Sequence, residues 1–254
     1  EFKWFRKGLK RGHVIGTRLL GSMVSGFAGQ SAPPFNRFFV GGEQDIRGFE
    51  IWSISPVAYV PSEATLPVFN PDGSARQQRT VDSEGNVIFQ PVTQNVPFYQ
   101  FIFPGGDTQA VANFEYRIPI FGPLTLAGFF DAGMNKLLLP GQLRLNDGRT
   151  AELNQAFPTA GFNRNAIIAP GSQQIRTSTG VELQVMMPVV NAPFRLYYAY
   201  NPTILQQLLL PPVSLDRSMF PNELSFQQAF QQLNRPLPYF ERRTMFRFTI
   251  SRTF

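Results

Sequence analysis

The stretch "QAVANFEYRI", residues 109–118, alternates apolar and polar side chains with a period of two. Its apolar positions are Ala110, Ala112, Phe114, Tyr116 and Ile118, and its polar positions are Gln109, Asn113, Glu115 and Arg117. Successive side chains of a β-strand point to opposite faces, whereas a helix repeats every 3.6 residues. The stretch is therefore predicted to be a strand with one apolar and one polar face.

The same alternation recurs along the chain. It is clear in residues 124–133, 175–187, 194–201 and 245–254. Residues 14–26 alternate less cleanly and are predicted as a further strand, with residues 2–8 as a partial strand before it. Seven strands are thus predicted.

The connections between these strands alternate in length. Short turns rich in Pro, Gly or Asn occupy residues 9–13, 119–123 and 188–193, and long connections occupy 27–107, 135–173 and 202–243. Tight turns on one side and long loops on the other are typical of outer-membrane barrels. The predicted fold class is all-β, an antiparallel transmembrane β-barrel with long extracellular loops.

A soluble β-sandwich is the alternative, because it also contains alternating strands. Two observations favour the barrel. Ordered loops of this length are rare in compact soluble domains. In addition, large apolar side chains share one strand face while ionisable ones share the other, as expected for a lipid-facing and a lumenal surface. Within the last loop, "QQLLLPP" (206–212) and "LSFQQAFQQL" (224–233) are each predicted as a short amphipathic helix.

The composition agrees with a membrane barrel. Charged residues make up 16% of the chain, below the average of about 25% for soluble domains, and aromatic residues make up 14%. No apolar run reaches the roughly 18 to 20 residues of a spanning helix, but a spanning strand needs only about 9 to 11. The chain has no cysteine, which excludes disulfides, thiol nucleophiles and cysteine metal sites.

The net charge of +6 does not point to nucleic acid, because the basic residues are scattered singly along the chain. No nucleic-acid partner is predicted. Residues 1–13 are basic and aromatic but lack the apolar core of a signal peptide. We expect the chain to begin inside a larger protein.

Sequence features of an enzyme are weak. The stretch "FFVGGEQDIRGFE", residues 38–50, has neither the Gly-Lys-Ser/Thr nor the GxGxxG spacing of a phosphate-binding loop. His13, the sole histidine, lies in a predicted turn without a nearby carboxylate or serine elbow, so a Ser-His-Asp triad or a histidine metal site is not expected. Glu115 and Asp131 could form a catalytic carboxylate pair, but pairing with an arginine is the more economical role. No enzymatic activity, cofactor or metal is predicted.

The glycine-rich stretch carries a resemblance to a known family. A Gly-Gly pair, Gly41 and Gly42, is followed by Ile46, Arg47, Gly48 and Phe49, as in the BamA family of outer-membrane protein insertases. The predicted strands after it resemble that family's last barrel strands in order. The resemblance implies a sixteen-stranded barrel, of which residues 1–254 form about the tenth to sixteenth strands.

The resemblance also implies how the glycine-rich stretch is used. It would lie in a loop, about residues 27–107, that folds into the lumen, where Arg47 meets acidic side chains of the barrel wall. Matching of segments points to Glu115 and Asp131 as these partners, and the period-two pattern places both on the polar face. Gly48 would allow a sharp backbone path, and Phe49 would pack beside it.

The C-terminal strand resembles the targeting signal of outer-membrane barrels. Phe246, Phe248, Ile250 and Phe254 share one parity, and Arg252 interrupts the apolar alternation as in BamA proteins. Ser251 stands where these insertases often have a glycine.

The resemblance implies a non-enzymatic function in the bacterial outer membrane, namely assembly and insertion of β-barrel proteins through a seam between the first and last strands. Its partners would be the lipid bilayer, client outer-membrane proteins and accessory assembly lipoproteins. Two alternatives stay open: a polypeptide-exporting transporter of the two-partner secretion or TamA-like type, and a small structural or adhesin barrel.

Overall fold

The computed structural model describes residues 1–28, 30–187 and 192–250. Its strands, in chain order, are β1 (Phe2–Lys7), β2 (Val14–Met23), β3 (Ala58–Pro67), β4 (Gln77–Val81), β5 (Val87–Pro91), β6 (Thr93–Ile102), β7 (Thr108–Phe121), β8 (Leu124–Lys136), β9 (Ile167–Ile168), β10 (Arg176–Met187), β11 (Ala192–Thr203), β12 (Gln206–Leu209), β13 (Leu237–Phe240) and β14 (Thr244–Ile250). Two α-helices, α1 (Asp147–Ala156) and α2 (Glu223–Leu233), lie in the long connections. Neither of these described helices combines the length and the apolar character needed to cross a membrane.

Seven strands form one antiparallel sheet in the order β1-β2-β7-β8-β10-β11-β14. They are the seven strands that the alternating pattern predicts, so the prediction of an all-β, antiparallel fold is confirmed. Within the described ranges β1 and β14 are the two outer strands of this sheet and do not pair with each other. Closure into a barrel of sixteen strands therefore stays a prediction.

The two faces of this sheet differ in the way that the alternation predicts. One face, here called the loop face, carries polar side chains that are buried: Asn113, Glu115, Asp131, Glu182 and Arg195. The opposite, outer face carries exposed apolar side chains: Phe114, Phe130, Val181, Tyr198 and Phe246. A soluble domain buries apolar groups and exposes charged ones, so this sheet has the reverse arrangement.

The loop face is covered by the first part of the segment 27–107. Residues 37–55 fold against it, held by isolated bridges between Val40 and Ile54 and between Gly42 and Ile46. A small apolar cluster anchors this part: Val40, Ile46, Phe49, Ile54 and Val111. Residues 41–50, here called the tip, lie at its end.

The second part of the same segment belongs to a second sheet, in the order β6-β3-β9. Strands β3 and β6 pair along ten positions, from Ala58 with Ile102 to Pro67 with Thr93. Beyond them β4 and β5 form a further hairpin. The segment that the resemblance treats as one lumenal loop thus contains a part that lies on the loop face and a part that forms strands of a second sheet.

The last long connection corrects one prediction and confirms another. "QQLLLPP" is not a helix: Gln206–Leu209 form β12, which pairs with β13. Pro211 and Pro212 end the stretch after too few residues to nucleate a helix, while β13 supplies a partner strand. "LSFQQAFQQL" does form the helix α2, whose N-terminus is capped by the Asn222 side chain and whose apolar side packs around Leu66 and Val96.

Candidate functional site

The tip reaches the sheet because its glycines have backbone conformations that other residues rarely adopt. Gly41, Gly42 and Gly48 have φ angles of 121°, 97° and 87°. A Cβ atom at Gly48 would lie 2.3 Å from Asn201 Oδ1 and 2.9 Å from Ala199 Cβ. The Asn201 side chain also donates a hydrogen bond to the Gly48 carbonyl at 2.7 Å. Glycine at this position therefore lets the backbone lie directly on β11.

Arg47 points from the tip into the sheet and is 1% exposed. Its strongest partner is Asp131 on β8. Nε and Nη2 of Arg47 each donate a hydrogen bond of 2.8 Å to the two carboxylate oxygens of Asp131, and the Arg47 backbone N–H donates to Oδ2 at 3.0 Å. The planar guanidinium matches the carboxylate in a bidentate geometry, which is stronger and more directional than a single contact.

Two more carboxylates complete the surroundings of the guanidinium. Nη1 of Arg47 lies 2.5 Å from Glu115 Oε1 on β7 and 3.2 Å from Glu182 Oε2 on β10. Both glutamates are fully buried. Arg47 therefore joins three adjacent strands of the sheet through one side chain.

Each of the two glutamates has a second arginine. Arg117 Nε donates to Glu115 Oε2 at 2.6 Å, and Arg195 donates to Glu182 at 2.6 Å and 2.7 Å. Three guanidinium groups thus meet three carboxylates, and the formal charges of this buried cluster cancel. Such neutralisation is what makes charges tolerable away from water.

The carboxylates keep Arg47 charged. Burial alone would lower the pKa of Arg47, but Asp131, Glu115 and Glu182 more than offset this effect, and the net shift of its pKa is upward. Arg47 therefore stays protonated at every pH at which the protein is folded. All three carboxylates accept hydrogen bonds from guanidinium groups, so the arrangement is suited to holding the loop rather than to proton transfer.

An aromatic ring supports the guanidinium from below. The Arg47 guanidinium carbon lies 3.9 Å from the centroid of the Phe129 ring, a cation–π geometry. Phe129 faces Gly180 on β10 in the register of the sheet, and a Cβ atom at Gly180 would lie 2.8 Å from Phe129 Cζ. The absence of a side chain at Gly180 makes room for the ring under Arg47.

The neighbours of Arg47 in the tip pack as apolar anchors. Ile46 is fully buried and Phe49 is 3% exposed. A Cβ atom at Gly133 would lie 2.7 Å from Ile46 Cδ1, so this side chain fills the space above a glycine of β8. Ile46 and Phe49 flank Arg47 and limit the access of water to the ion pairs.

The other end of the tip is held by β2 and β7. Arg18 donates a hydrogen bond through Nη1 to the Gln44 carbonyl, and Asn113 Nδ2 donates to the Asp45 carbonyl at 2.6 Å. Asn113 also donates to Asp131 Oδ1 at 2.9 Å. The tip is thus connected to Asp131 both through Arg47 and through Asn113.

The predicted targeting residues lie on the outer face of β14. Phe246, Phe248 and Ile250 are 68%, 58% and 55% exposed and alternate with inward-facing positions. Arg252 and Phe254 lie outside the described residues, as does Ser251.

The structure brings Arg47, Glu115 and Asp131 together and adds residues that neither the sequence pattern nor the resemblance assigns to the site: Asn113, Arg117, Phe129, Glu182 and Arg195. The period-two alternation places Glu182 on the polar face, but whether its side chain lies close enough to contact Arg47 depends on strand register. Within the described ranges, no group of three or more His, Asp or Glu residues could hold a metal ion.

Comparison with known proteins identifies the family. No curated protein shows significant sequence similarity to the chain. Among solved structures, the crystal structure of BamA from Haemophilus ducreyi lacking POTRA domains 1-3 is similar at 16% identity, with a TM-score of 0.40, over 97% of this chain and 34% of that chain. The chain therefore spans about a third of the length of that structure. A model of the Omp85 superfamily domain matches residues 5–207, most of the chain, and the chain belongs to the Omp85 superfamily.

Proposed function

We propose that residues 1–254 form the C-terminal portion of an outer-membrane β-barrel, about its tenth to sixteenth strands, in a protein that assembles and inserts β-barrel proteins in bacteria. The observation that carries this proposal is the neutral cluster of three arginines and three carboxylates that lies between a folded-in loop and a sheet: Arg47, Arg117, Arg195, Glu115, Asp131 and Glu182. The other face of that sheet exposes large apolar side chains.

This arrangement suits a barrel wall. Lipid would cover the outer face, where an exposed aromatic such as Phe130 or Phe246 is unfavourable in water. A lumen would accommodate the loop face and the tip. The proposed role of Arg47 is that of a latch, which holds the tip against three strands of the wall.

The proposed mechanism is not enzymatic. The seam between the first and last strands of the complete barrel would open, and a strand of a client protein would pair with the exposed edge. Unpaired backbone groups of an edge strand are a template for another strand. In this chain β14 provides one side of that seam, and Phe246, Phe248 and Ile250, followed by Arg252 and Phe254, would form the targeting signal. The proposed partners are the bilayer, client barrels and accessory assembly lipoproteins.

The test is an assembly assay with the complete protein in proteoliposomes, in which folding of a client barrel is followed by its protection from protease. Arg47→Ala is expected to slow client folding several-fold and to make the tip sensitive to protease. Arg149→Ala is the matched control, because it removes an ion pair between α1 and β3, with Glu63, that does not involve the Arg47 cluster. Equal client folding by both variants would contradict the proposed role of Arg47.

Two other functions can be separated from this one experimentally. A polypeptide exporter of the two-partner secretion or TamA-like type would move a passenger across the bilayer without inserting it, so a passenger inside the vesicle would become accessible to external protease. A small structural or adhesin barrel would have no assembly activity. Its mass under native conditions would match a closed, self-contained barrel, whereas the seven described strands form an open sheet.

A further inference from the structure

The tip carries a second set of ion pairs, distinct from the Arg47 cluster, on the same loop face of the sheet but at its edge strand β14. Arg247 of β14 pairs through Nη2 with Glu50, and its Nη1 lies 3.7 Å from Glu43 Oε2. Thr249 Oγ1, two residues further along β14, lies 3.0 Å from Glu43 Oε1. Glu43 and Glu50 stand near the two ends of the tip, on either side of Arg47.

These contacts involve the inward positions of β14 only. Arg247 and Thr249 face the loop, while Phe246, Phe248 and Ile250 face outward. Strand β14 pairs with β11 through seven positions, from Phe194 with Ile250 to Tyr200 with Thr244. Within the described residues β11 is its only strand neighbour. One ladder and the contacts with the tip therefore hold β14 in place.

The contact between the tip and β14 is not one between two fully exposed side chains. The side chains of Glu43 and Arg247 are 16% and 23% exposed, so water is largely excluded from their contact. Gly48, between Arg47 and the β14 contacts, lies directly against Ala199 and Asn201 of β11. The tip forms a continuous connection from β8 across β10 and β11 to β14.

We propose that Glu43 and Glu50 are positioning residues that hold the inward side of β14, so that the tip couples the Arg47 cluster to the strand at the seam. The Glu50 side chain is 52% exposed, so its pair with Arg247 contributes little to stability by itself. The network in which Arg247 is shared with the less exposed Glu43 contributes more. A second step rests on the proposed function. In assembly, these glutamates set how readily the edge of β14 becomes available to a client strand.

The first measurement concerns the strand alone. Hydrogen exchange of the complete protein in outer-membrane vesicles would compare the native form with the double variant Glu43→Gln, Glu50→Gln. We expect amide exchange in residues 244–250 to rise by about tenfold, which corresponds to about 1.4 kcal/mol, while residues 124–136 keep their protection. Glu63→Gln is the control, since it removes an ion pair that does not touch β14. Unchanged exchange in 244–250 would overturn the inference whatever the function of the protein.

A charge swap tests the pairing itself. Arg247→Glu should loosen β14, and adding Glu43→Lys and Glu50→Lys should restore its protection at least in part. Absence of any rescue would mean that Arg247 supports β14 without these partners, which would overturn the assignment of the two glutamates.

The second measurement concerns assembly. In the proteoliposome assay, the double glutamine variant should change the rate of client folding while Arg47 remains in place. Faster exchange of β14 with an unchanged rate of client folding would overturn the link to the seam and leave the structural coupling standing. Loss of assembly in the native protein under all conditions would instead count against the proposed function.

Discussion

Asp131 receives three hydrogen bonds from Arg47, two from the guanidinium and one from the backbone N–H, at 2.8 Å, 2.8 Å and 3.0 Å. The same aspartate accepts a bond from Asn113, which also binds the tip backbone at Asp45. Asp131 is therefore the residue on which the side chain and the backbone of the tip converge. Glu115 and Glu182 contact the guanidinium through Nη1 alone.

This difference predicts unequal effects of the three carboxylates. Removing one partner of a buried ion pair typically costs about 3 to 5 kcal/mol, because the other charge is left uncompensated. We expect Asp131→Asn to lower the free energy of unfolding more than Glu115→Gln. Denaturant unfolding of the complete protein in detergent measures both. A larger effect of Glu115→Gln would show that the bidentate geometry is not the main contact.

The same cluster predicts strong coupling between substitutions. The double variant Arg47→Ala, Asp131→Asn should lose less free energy of unfolding than the sum of the losses in the two single variants, with a coupling energy of about 1 to 3 kcal/mol. The stability changes caused by substitutions at residues without shared partners are usually additive to within about 0.5 kcal/mol. Arg47→Ala combined with Arg149→Ala is the additive control, since Arg149 of α1 pairs with Glu63 of β3 and shares no partner with Arg47. Additive behaviour of Arg47 and Asp131 would contradict the latch.

Alanine substitutions at Gly48 and Gly73 distinguish the cost of a strained backbone from the cost of a close contact. Gly48 and Gly73 both have positive φ, 87° and 88°, but a Cβ atom at Gly73 meets nothing within 4 Å. Alanine at either position should cost about 1 to 2 kcal/mol from the left-handed backbone. Gly48→Ala should add about 1 to 3 kcal/mol, because it overpacks the contact with Asn201 and Ala199. Equal losses in thermal unfolding would mean that the tip can move away from β11 at no cost.

The seven strands of the sheet are predictable because a period of two is a local property of the sequence. Residues 109–118 alone define which side chains share a face, and that assignment agrees with the burial of Asn113 and Glu115. The internal structure of the long connections is not local. Ala58 pairs with Ile102 across more than forty residues, and nothing near either residue specifies that pairing.

The site shows the same division between local and distant information. The alternation of side chains places Glu115, Asp131 and Glu182 on one face of the sheet. Their positions relative to one another along the strand direction depend on the register between strands. Glu182 lies opposite Ala127, and this offset brings it under Arg47. Sequence pattern alone does not determine such offsets, because a shift of two residues preserves every face. The family resemblance points to Glu115 and Asp131 because a family's segments share one register.

Asp45 predicts a pH dependence of stability in the tip. Burial raises the pKa of Asp45 above its ordinary value, and Arg18 offsets only part of this effect. The folded protein therefore binds the proton more tightly than the unfolded chain, and Asp45 lowers stability as pH rises from its ordinary pKa to its raised one. Asp45→Asn should be more stable than the native protein at pH 7, and the difference should vanish at about pH 3, below the ordinary pKa of Asp near 3.9. Unfolding curves of both proteins at several pH values measure the difference in their free energies of unfolding. The contributions of the other carboxylates are the same in both proteins and cancel in this difference. A difference independent of pH would show that ionisation of Asp45 is not its cause.

Gly180 tests whether the ring of Phe129 supports the latch. A Cβ atom at Gly180 would lie 2.8 Å from Phe129 Cζ and 2.0 Å from the Tyr198 carbonyl oxygen, so Gly180→Ala should displace both the ring beneath Arg47 and the backbone of β11, at a cost of about 3 kcal/mol. Gly128 on β8 is the matched control, because a Cβ atom there meets nothing within 4 Å. Gly128→Ala should be neutral or slightly stabilising, since it restricts the unfolded chain. Limited proteolysis should cut the tip faster in Gly180→Ala than in Gly128→Ala. Equal cutting would show that Arg47 is held by its carboxylates without the ring, since both variants add the same methyl group to neighbouring strands of one sheet.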